Sequence, residues 1–255
     1  LGAYNEGLAH YNEKARKSLN VLLDRNGEIA GSNCFAPLEL RKYLPKGARL
    51  ATMADLGRAT ELKPEFLKGF YSDTGLVLRT ADDSQKENDL LAKGLVKQLK
   101  KRGMPLKEGT PKIIYFSALS LKEDKDSAYG LIYELSEKAK VGENVFDAPE
   151  LMRNMQFKTM DERGVPIEDN NGSRTLYTRE NGLSRFCLYR ISGLYSGDRV
   201  LADSGGDGRV VSVTSEAGSQ KLLDGYLKDL QNQRDKEMLT IEMRYEKAER
   251  ILKGK

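Results

Sequence analysis

Six short runs of β-branched and aromatic residues lie between two long amphipathic helical stretches, and this distribution narrows the fold more than any other feature of the chain. The runs are Gly75–Thr80, Lys112–Ser117, Ala128–Leu135, Ser173–Thr178, Leu183–Ile191 and Arg209–Thr214. Each carries the residue types that suit a pleated, half-buried surface. A doubly wound parallel sheet would need a helix between successive strands. Here the helical signals come early and the strand signals late, which predicts an α+β fold.

Both ends read as helices. Tyr4, Leu8, Tyr11, Ala15, Leu19 and Leu22 recur at steps of three and four, forming one apolar stripe that ends at the turn Asp24-Arg25-Asn26-Gly27. After Gly218 a second stripe runs through Leu223, Leu227, Leu230, Met238, Ile241, Tyr245, Ala248 and Leu252, interrupted by Arg234 with the spacing of a stutter. Such stripes bury against each other, against the central body, or in a self-associating coiled coil. The chain therefore divides into an N-terminal helix (1–30), a mixed body (31–217) and a C-terminal helix (218–255). Within the body, Thr52-Met53-Ala54-Asp55 has the form of a capping box opening a helix through Thr60. Pro64 opens another, predicted to end near Gly69. Asn88–Arg102 is amphipathic, with Leu91, Leu95 and Leu99 inward, and its Lys97, Lys100, Lys101 and Arg102 read as a solvated face. Asn144–Asn171 is polar and irregular, predicted to be a long surface loop.

Composition excludes several functions. With 39% hydrophobic and 31% charged residues in 255, the chain can bury a core, yet it offers no apolar stretch for a membrane. Its N-terminal segment, Leu1–Leu23, is charged and amphipathic, unlike the apolar region of a secretion signal. A net charge of +4 spread over the whole length is too weak to indicate nucleic acid or an anionic membrane surface. One histidine, His10, and two cysteines, Cys34 and Cys187, leave no histidine pair, four-thiolate zinc site or disulfide framework. A serine triad lacks both its elbow motif and a suitable histidine. Both thiols lie among apolar neighbours and are predicted to be buried and inert. The Gly-rich Ser204–Arg209 lacks the Gly-Lys-Ser/Thr ending of a phosphate loop, and a calcium loop begun at Asp203 matches only Asp203, Asp207 and Gly208. A tight turn is the expectation there. The chain reads as non-enzymatic, without cofactor or metal.

One segment departs from the rest. Lys, Glu, Gln and Met make up 58 of the 255 residues, so a 35-residue stretch should hold about eight. Asn181–Ser215 holds none. Every cation there is arginine (Arg185, Arg190, Arg199, Arg209) and every acid is aspartate (Asp198, Asp203, Asp207). Strands and Gly-rich turns disfavour Lys and Glu, which accounts for part of this. It does not account for four arginines and no lysine in a chain where Lys outnumbers Arg.

Two resemblances meet on these residues. Leu44-Pro45-Lys46-Gly47-Ala48-Arg49-Leu50-Ala51-Thr52-Met53-Ala54-Asp55-Leu56 resembles the segment of C-type lectin-like domains in which a short strand leads into a capped helix, and Gly208–Val213 is similar to that fold's terminal core strand. The Glu-Pro-Asn, Gln-Pro-Asp and Trp-Asn-Asp triplets and the four-cysteine pattern of sugar-binding lectins are absent, so calcium-dependent sugar binding is not implied. The composition of 181–215 resembles the product of adenine-directed mutagenesis of AAC- or AAT-type codons, which reach Asn, Tyr, Ser, Asp, Gly, Arg, Leu, Phe and Cys but never Lys, Glu, Gln, Met or Trp. Variable proteins of diversity-generating retroelements are made in this way and characteristically use a C-type lectin fold. The chain is similar to an archaeal or archaeal-virus member of that class.

The resemblance implies a C-type lectin-like body with added terminal helices and a variable region at about 181–215. It implies a ligand-binding protein with a hypervariable surface for a partner protein on a host or symbiont, displayed on a cell or virion. Neither nucleic acid nor membrane insertion is expected, and self-association through the terminal helices is open. The expected surface comprises Leu188, Tyr189, Ser192, Tyr195, Ser196, Asp198, Arg199, Asp203, Gly206 and Asp207. Tyr and Arg would be its anchors, and Ser and Asp its adaptable neighbours. Leu201, Val210, Val211 and Val213 should point inward, while Gly193, Gly197 and Gly208 set turns. An assembly protein held by its terminal helices is the competing expectation.

Overall fold

A computed structural model describes residues 13–19, 23–25, 28–137, 139–189 and 193–214, with positions 231, 234, 238 and 241. In chain order the described elements are α1 (Glu13–Leu19), β1 (Leu23–Arg25), β2 (Glu28–Ala30), α2 (Ala36–Leu40), β3 (Ala48–Leu50), α3 (Met53–Leu62), β4 (Tyr71–Leu78) and α4 (Lys86–Lys101). They continue with β5 (Lys112–Tyr115), β6 (Leu119–Glu123), β7 (Leu131–Leu135), β8 (Val145–Asp147), β9 (Met155–Met160), β10 (Pro166–Glu168), β11 (Arg174–Tyr177), β12 (Leu183–Tyr189), β13 (Gly193–Tyr195) and β14 (Ser212–Thr214). The fold is mixed α+β. Contacts divide the chain into two compact units, Leu1–Leu44 with Arg49–Val213, and Pro45–Ala48 with Thr214–Lys255.

The larger unit is organised by an eight-stranded sheet in the order β10-β9-β11-β13-β12-β4-β5-β8, antiparallel except for the β11–β13 pair. Side chains alternate across a sheet, so each strand feeds two cores. On one face Leu76, Leu78, Ile114 and Leu183 pack with α4 through Leu91, Leu95 and Leu99, with Phe35 and Leu38 around α2, and with Ala15 and Leu19 of α1. On the other face Val77, Ile113, Phe186, Leu188 and Leu194 pack with Met53 and Leu56 of α3 and with Phe157. The capping box forms as its sequence predicts. Thr52 Oγ1 accepts from the Asp55 N–H, and Asp55 Oδ2 accepts from the Thr52 N–H at 2.8 Å. Arg49 on β3 forks onto the same carboxylate at 2.6 and 3.0 Å. Burial works against that charge, but Arg49 and Thr52 outweigh it and hold the Asp55 carboxyl well below the usual carboxylate range.

Several expectations are corrected. Pro64–Gly69 forms turns instead of a helix, because Leu67 takes φ 60° to bury its side chain. Asn144–Asn171 is not one loop. It contains β8, β9 and β10, and in β9 Met155 and Phe157 are buried while Gln156 and Lys158 face out, which diluted the apolar signal. The strand predicted at Arg209–Thr214 begins only at Ser212 and pairs with β3 outside the main sheet. Leu201 is fully buried, and Val210, Val211 and Val213 are partly buried against the cores. Gly208 sets no left-handed turn. A Cβ there would lie 2.4 Å from the Ser32 nitrogen, so the position requires glycine for close backbone approach. Tyr4, Leu8, Tyr11 and Leu22 of the first stripe lie outside the described residues, as does the second stripe apart from the helical Met238 and Ile241, which are 53% and 61% exposed.

Candidate functional site

The site begins with an irregularity in the central strand pair. Along β12 and β4 the register runs Arg185↔Leu76 and Phe186↔Gly75, then skips to Cys187↔Asp73 and Tyr189↔Tyr71. Thr74 is the extra residue of a β-bulge. Its hydroxyl donates to the Phe186 carbonyl at 2.9 Å. Gly75 is obligatory beside it, since a Cβ there would meet the Ile114 carbonyl oxygen at 2.5 Å. The bulge inverts the side-chain parity of β4. Asp73 and Tyr71 therefore share a face with Arg185, Cys187 and Tyr189, where a regular strand would have presented Thr74 and Ser72.

That exchange creates a buried ion pair. Arg185 forks onto Asp73, with Nε to Oδ1 at 2.8 Å and Nη2 to Oδ2 at 2.7 Å, and their side chains are 5% and 0% exposed. Ser32 Oγ donates a third bond to Asp73 at 2.7 Å. Arg185 spends its remaining donors on the carbonyls of Ser32, Asp203 and Val200 and on Asp198 Oδ2. Burial opposes its charge, but the field and hydrogen bonds of Asp73 prevail and keep it protonated. Cys187 lines the cavity with Arg185, and Cys34 is buried in the core cluster around α2, within the field of the pair. Both are free, and burial, with the Asp73 charge adding to it, pushes both thiols up.

Over the pair stands a row of tyrosines from four neighbouring strands. Tyr71 stacks with Tyr189 at 6.2 Å between ring centroids, Tyr189 meets Tyr195 edge-on at 5.2 Å, and Tyr195 stacks on Tyr177 at 4.7 Å. The registers Tyr189↔Tyr71, Cys187↔Tyr195 and Tyr177↔Tyr195 dictate this row. The Tyr71 hydroxyl donates to the Ser32 carbonyl at 2.8 Å and accepts from the Gly205 N–H.

Together these groups line a cavity of about 370 Å³, with Arg185 and Cys187 in its floor, Tyr71, Tyr189 and Tyr195 as walls, and Asp198, Asp203, Gly205 and Asp207 at its mouth. Eight of the nine lining residues, all but Tyr71, come from the compositionally distinct segment 181–215. The loop that follows β13 is held by its main chain. Cys34 N–H donates to the Leu201 carbonyl (2.9 Å), Asn88 to that of Arg199 (2.8 Å), Asn33 to that of Ala202 (3.0 Å), and Gly31 N–H to that of Gly208 (2.7 Å).

The ten expected surface residues separate by strand parity. Tyr189, Tyr195, Asp198, Asp203 and Asp207 meet at the cavity, and Gly206 lies half-buried in the turn beside them. Arg199 is exposed but directs its guanidinium to Ser84 Oγ. Leu188 and Ser196 are corrected. Leu188 is 0% exposed in the opposite core, because even-numbered residues of β12 face that side. Ser196 is buried there too, accepting from Arg79 Nη2 at 2.9 Å while its carbonyl accepts from the Ser184 hydroxyl. Ser192 lies outside the described residues. Sequence reasoning missed Tyr71, Asp73, Arg185 and Cys187. The alternation Arg185, Cys187, Tyr189 along one strand carried a signal for the last two; the bulge that recruits Tyr71 and Asp73 left none.

Among the described residues, no three His, Cys, Asp or Glu side chains converge closely enough to hold a metal ion, and no helix is long and apolar enough to cross a membrane. Comparison with known protein families, with curated proteins and with solved structures found no match.

Proposed function

We propose that this protein is a binding module whose cavity face is diversified, the variable protein of a diversity-generating retroelement built on a C-type lectin-like scaffold, and that its ligand is a protein on another cell or particle. One observation carries the reading. The segment set apart by composition is the segment that lines the cavity, contributing eight of its nine residues. Composition and geometry are independent, and both point to this segment.

The energetics of the segment suit this role. A position free to become Asp, Gly or Tyr must be one where the swap leaves no cavity or unpaired charge. Tyr189, Tyr195, Asp198, Arg199, Asp203 and Asp207 are partly or fully solvent-exposed. Their loop is tied down in large part through carbonyls that every residue possesses, with side-chain bonds from Asp198 and Ser204 added to them. Leu188, Leu194, Ser196 and Leu201, beside and between them, are buried, and Arg185 is fixed by Asp73. Rigid frame and replaceable side chains therefore interleave residue by residue, as binding loops on a stiff scaffold require.

The test is a library of the full chain with Tyr189, Tyr195, Asp198, Arg199, Asp203 and Asp207 randomised over the amino acids that AAC-type codons reach. Most members should fold, and selection against unrelated proteins should return specific binders. A library in which most members fail to fold, or one that yields no binder to any target, would overturn the proposal.

A further inference from the structure

The replaceable positions Tyr189, Tyr195, Asp198, Arg199, Asp203 and Asp207 are too few to hold a folded protein by themselves. A specific protein–protein interface takes about 20–30 residues from each side, ~800 Å² per partner. Most of that patch must therefore come from residues that do not vary, and these must adjoin Tyr189 and Tyr195. Sheet coverage decides where they lie. The pairing of Tyr195 with Cys187 puts Tyr195 on the face that carries Leu183, Arg185 and Cys187. Toward β4 and β5 that face is closed by α4, α2 and α1, which pack on Leu76, Leu78 and Ile114. Toward β11 and β9 it is open.

Register carries the same face along those two strands. Tyr177 lies opposite Tyr195, Thr175 opposite Gly193, and Gln156 of β9 opposite Thr175. Their neighbours Leu176, Met155 and Phe157 are buried in the other core. Tyr177, Gln156 and Lys158 are exposed, and Thr175 is half-buried. Tyr177 is the large group among them. Its ring stacks on that of Tyr195 at 4.7 Å and comes within 3.6 Å of where a Cβ on Gly193 would stand, yet 43% of the residue remains exposed. A tyrosine held by stacking presents rigid amphipathic area with little conformational entropy left to lose, which is what makes the residue a common interface anchor. Tyr177 also lies outside 181–215, so diversification of that segment leaves it in place.

Resting on the binding function proposed above, we propose that the binding surface is composite. The diversified residues around the cavity form one half, and a constant platform of Tyr177, Thr175, Gln156 and Lys158 forms the other. The occupant is a folded protein laid across both halves, with an apolar or aromatic side chain seated against Tyr177. The diversified half then sets which partner is chosen, and Tyr177 contributes affinity to every pairing. A small molecule confined to the cavity would leave β11 and β9 uncovered.

The randomised library of the full chain can be selected against lysozyme, and several independent binders of distinct sequence compared. In most of them Tyr177→Ala should weaken binding roughly tenfold, as loss of an interface tyrosine does, with the circular dichroism of the free chain unchanged. Val141 is exposed beside β8, at the other edge of the sheet, and Val141→Ala should change binding by less than about twofold. Hydroxyl-radical footprinting needs no substitution, and bound lysozyme should protect Tyr177 severalfold. If Tyr177→Ala unfolds the chain, the footprint decides alone. The assignment is overturned by binders that tolerate Tyr177→Ala, by an equal loss from Val141→Ala, or by a footprint confined to the cavity residues. It is also overturned if Tyr177 becomes protected in the free chain as its own concentration rises, the mark of a second copy on this face. Binders indifferent to Tyr177 remove only the constant platform, whereas a library without binders removes the binding function as well.

Discussion

Replacing Asp73 by asparagine should cost more stability than replacing four residues around the cavity together. Asp73 has no exposed side-chain surface and accepts two bonds from Arg185 and one from Ser32. Asparagine is nearly isosteric, so packing is preserved, but one side-chain oxygen becomes an amide nitrogen and the countercharge is gone. Arg185 would then be a 5%-exposed cation facing a donor. Breaking such a buried pair from one side costs about 3–5 kcal/mol. The fourfold variant Tyr189→Ser, Tyr195→Ser, Asp198→Ser, Arg199→Ser removes partly exposed groups. The two polar positions should each stay within ~0.5 kcal/mol, and each tyrosine contact forgoes ~0.5–1.5 kcal/mol. The sum is about 1–4 kcal/mol, on average about 1 kcal/mol or less for each of four substitutions, against about 3–5 kcal/mol for one. Urea unfolding followed by far-UV circular dichroism measures both, and the lack of tryptophan in the chain makes that the natural probe. If Asp73→Asn lies within about 1 kcal/mol of the parent, or if the fourfold variant is the less stable of the two, the division into frame and replaceable surface is wrong.

Further outcomes follow from the same geometry. Leu188→Ser should destabilise by ~2–5 kcal/mol, whereas Tyr189→Ser, one residue on, should cost less than half as much; comparable losses in chemical denaturation would contradict the strand parity. The Asp55 carboxyl is depressed in the folded chain, so its contribution is complete above the unfolded value of ~3.9 and fades as pH falls below it. Asp55→Asn should therefore flatten the acid decline of Tm between about pH 4 and pH 2. Cys34 and Cys187, both buried with raised pKa, should react with an aromatic disulfide reagent only after unfolding. Rapid modification of Cys187 in the native protein would show that the cavity floor opens, and of Cys34 that the core around α2 does.

Much of the scaffold is legible in the residues themselves. The Thr52–Asp55 box, the Leu91/Leu95/Leu99 stripe and five of the strands rest on local signals, and local signals survive folding. What was not legible depends on partners distant in sequence. Leu67 adopts a left-handed backbone because its side chain finds a core, and β9 and β10 become strands by pairing with each other and with β11. The site divides in the same way. Composition singles out 181–215, and Tyr189, Tyr195, Asp198, Asp203 and Asp207 of that segment line one cavity. Choosing Leu188 beside Tyr189 and Ser196 beside Tyr195 ignored the two-residue period of a strand, an error the sequence alone could have prevented. Tyr71 and Asp73 could not have been foreseen. They enter through a bulge about 110 residues away from the segment they complete.

Sequencing the codons for Asn181–Ser215 from many individuals of one natural population tests the central claim most directly. The proposed function predicts substitutions at adenine-derived positions, concentrated at Tyr189, Tyr195, Asp198, Arg199, Asp203 and Asp207, with Ser184, Arg185, Phe186, Leu188, Leu194 and Ser196 constant. Substitutions spread evenly over the segment, or no excess of variation over the remainder of the chain, would contradict it.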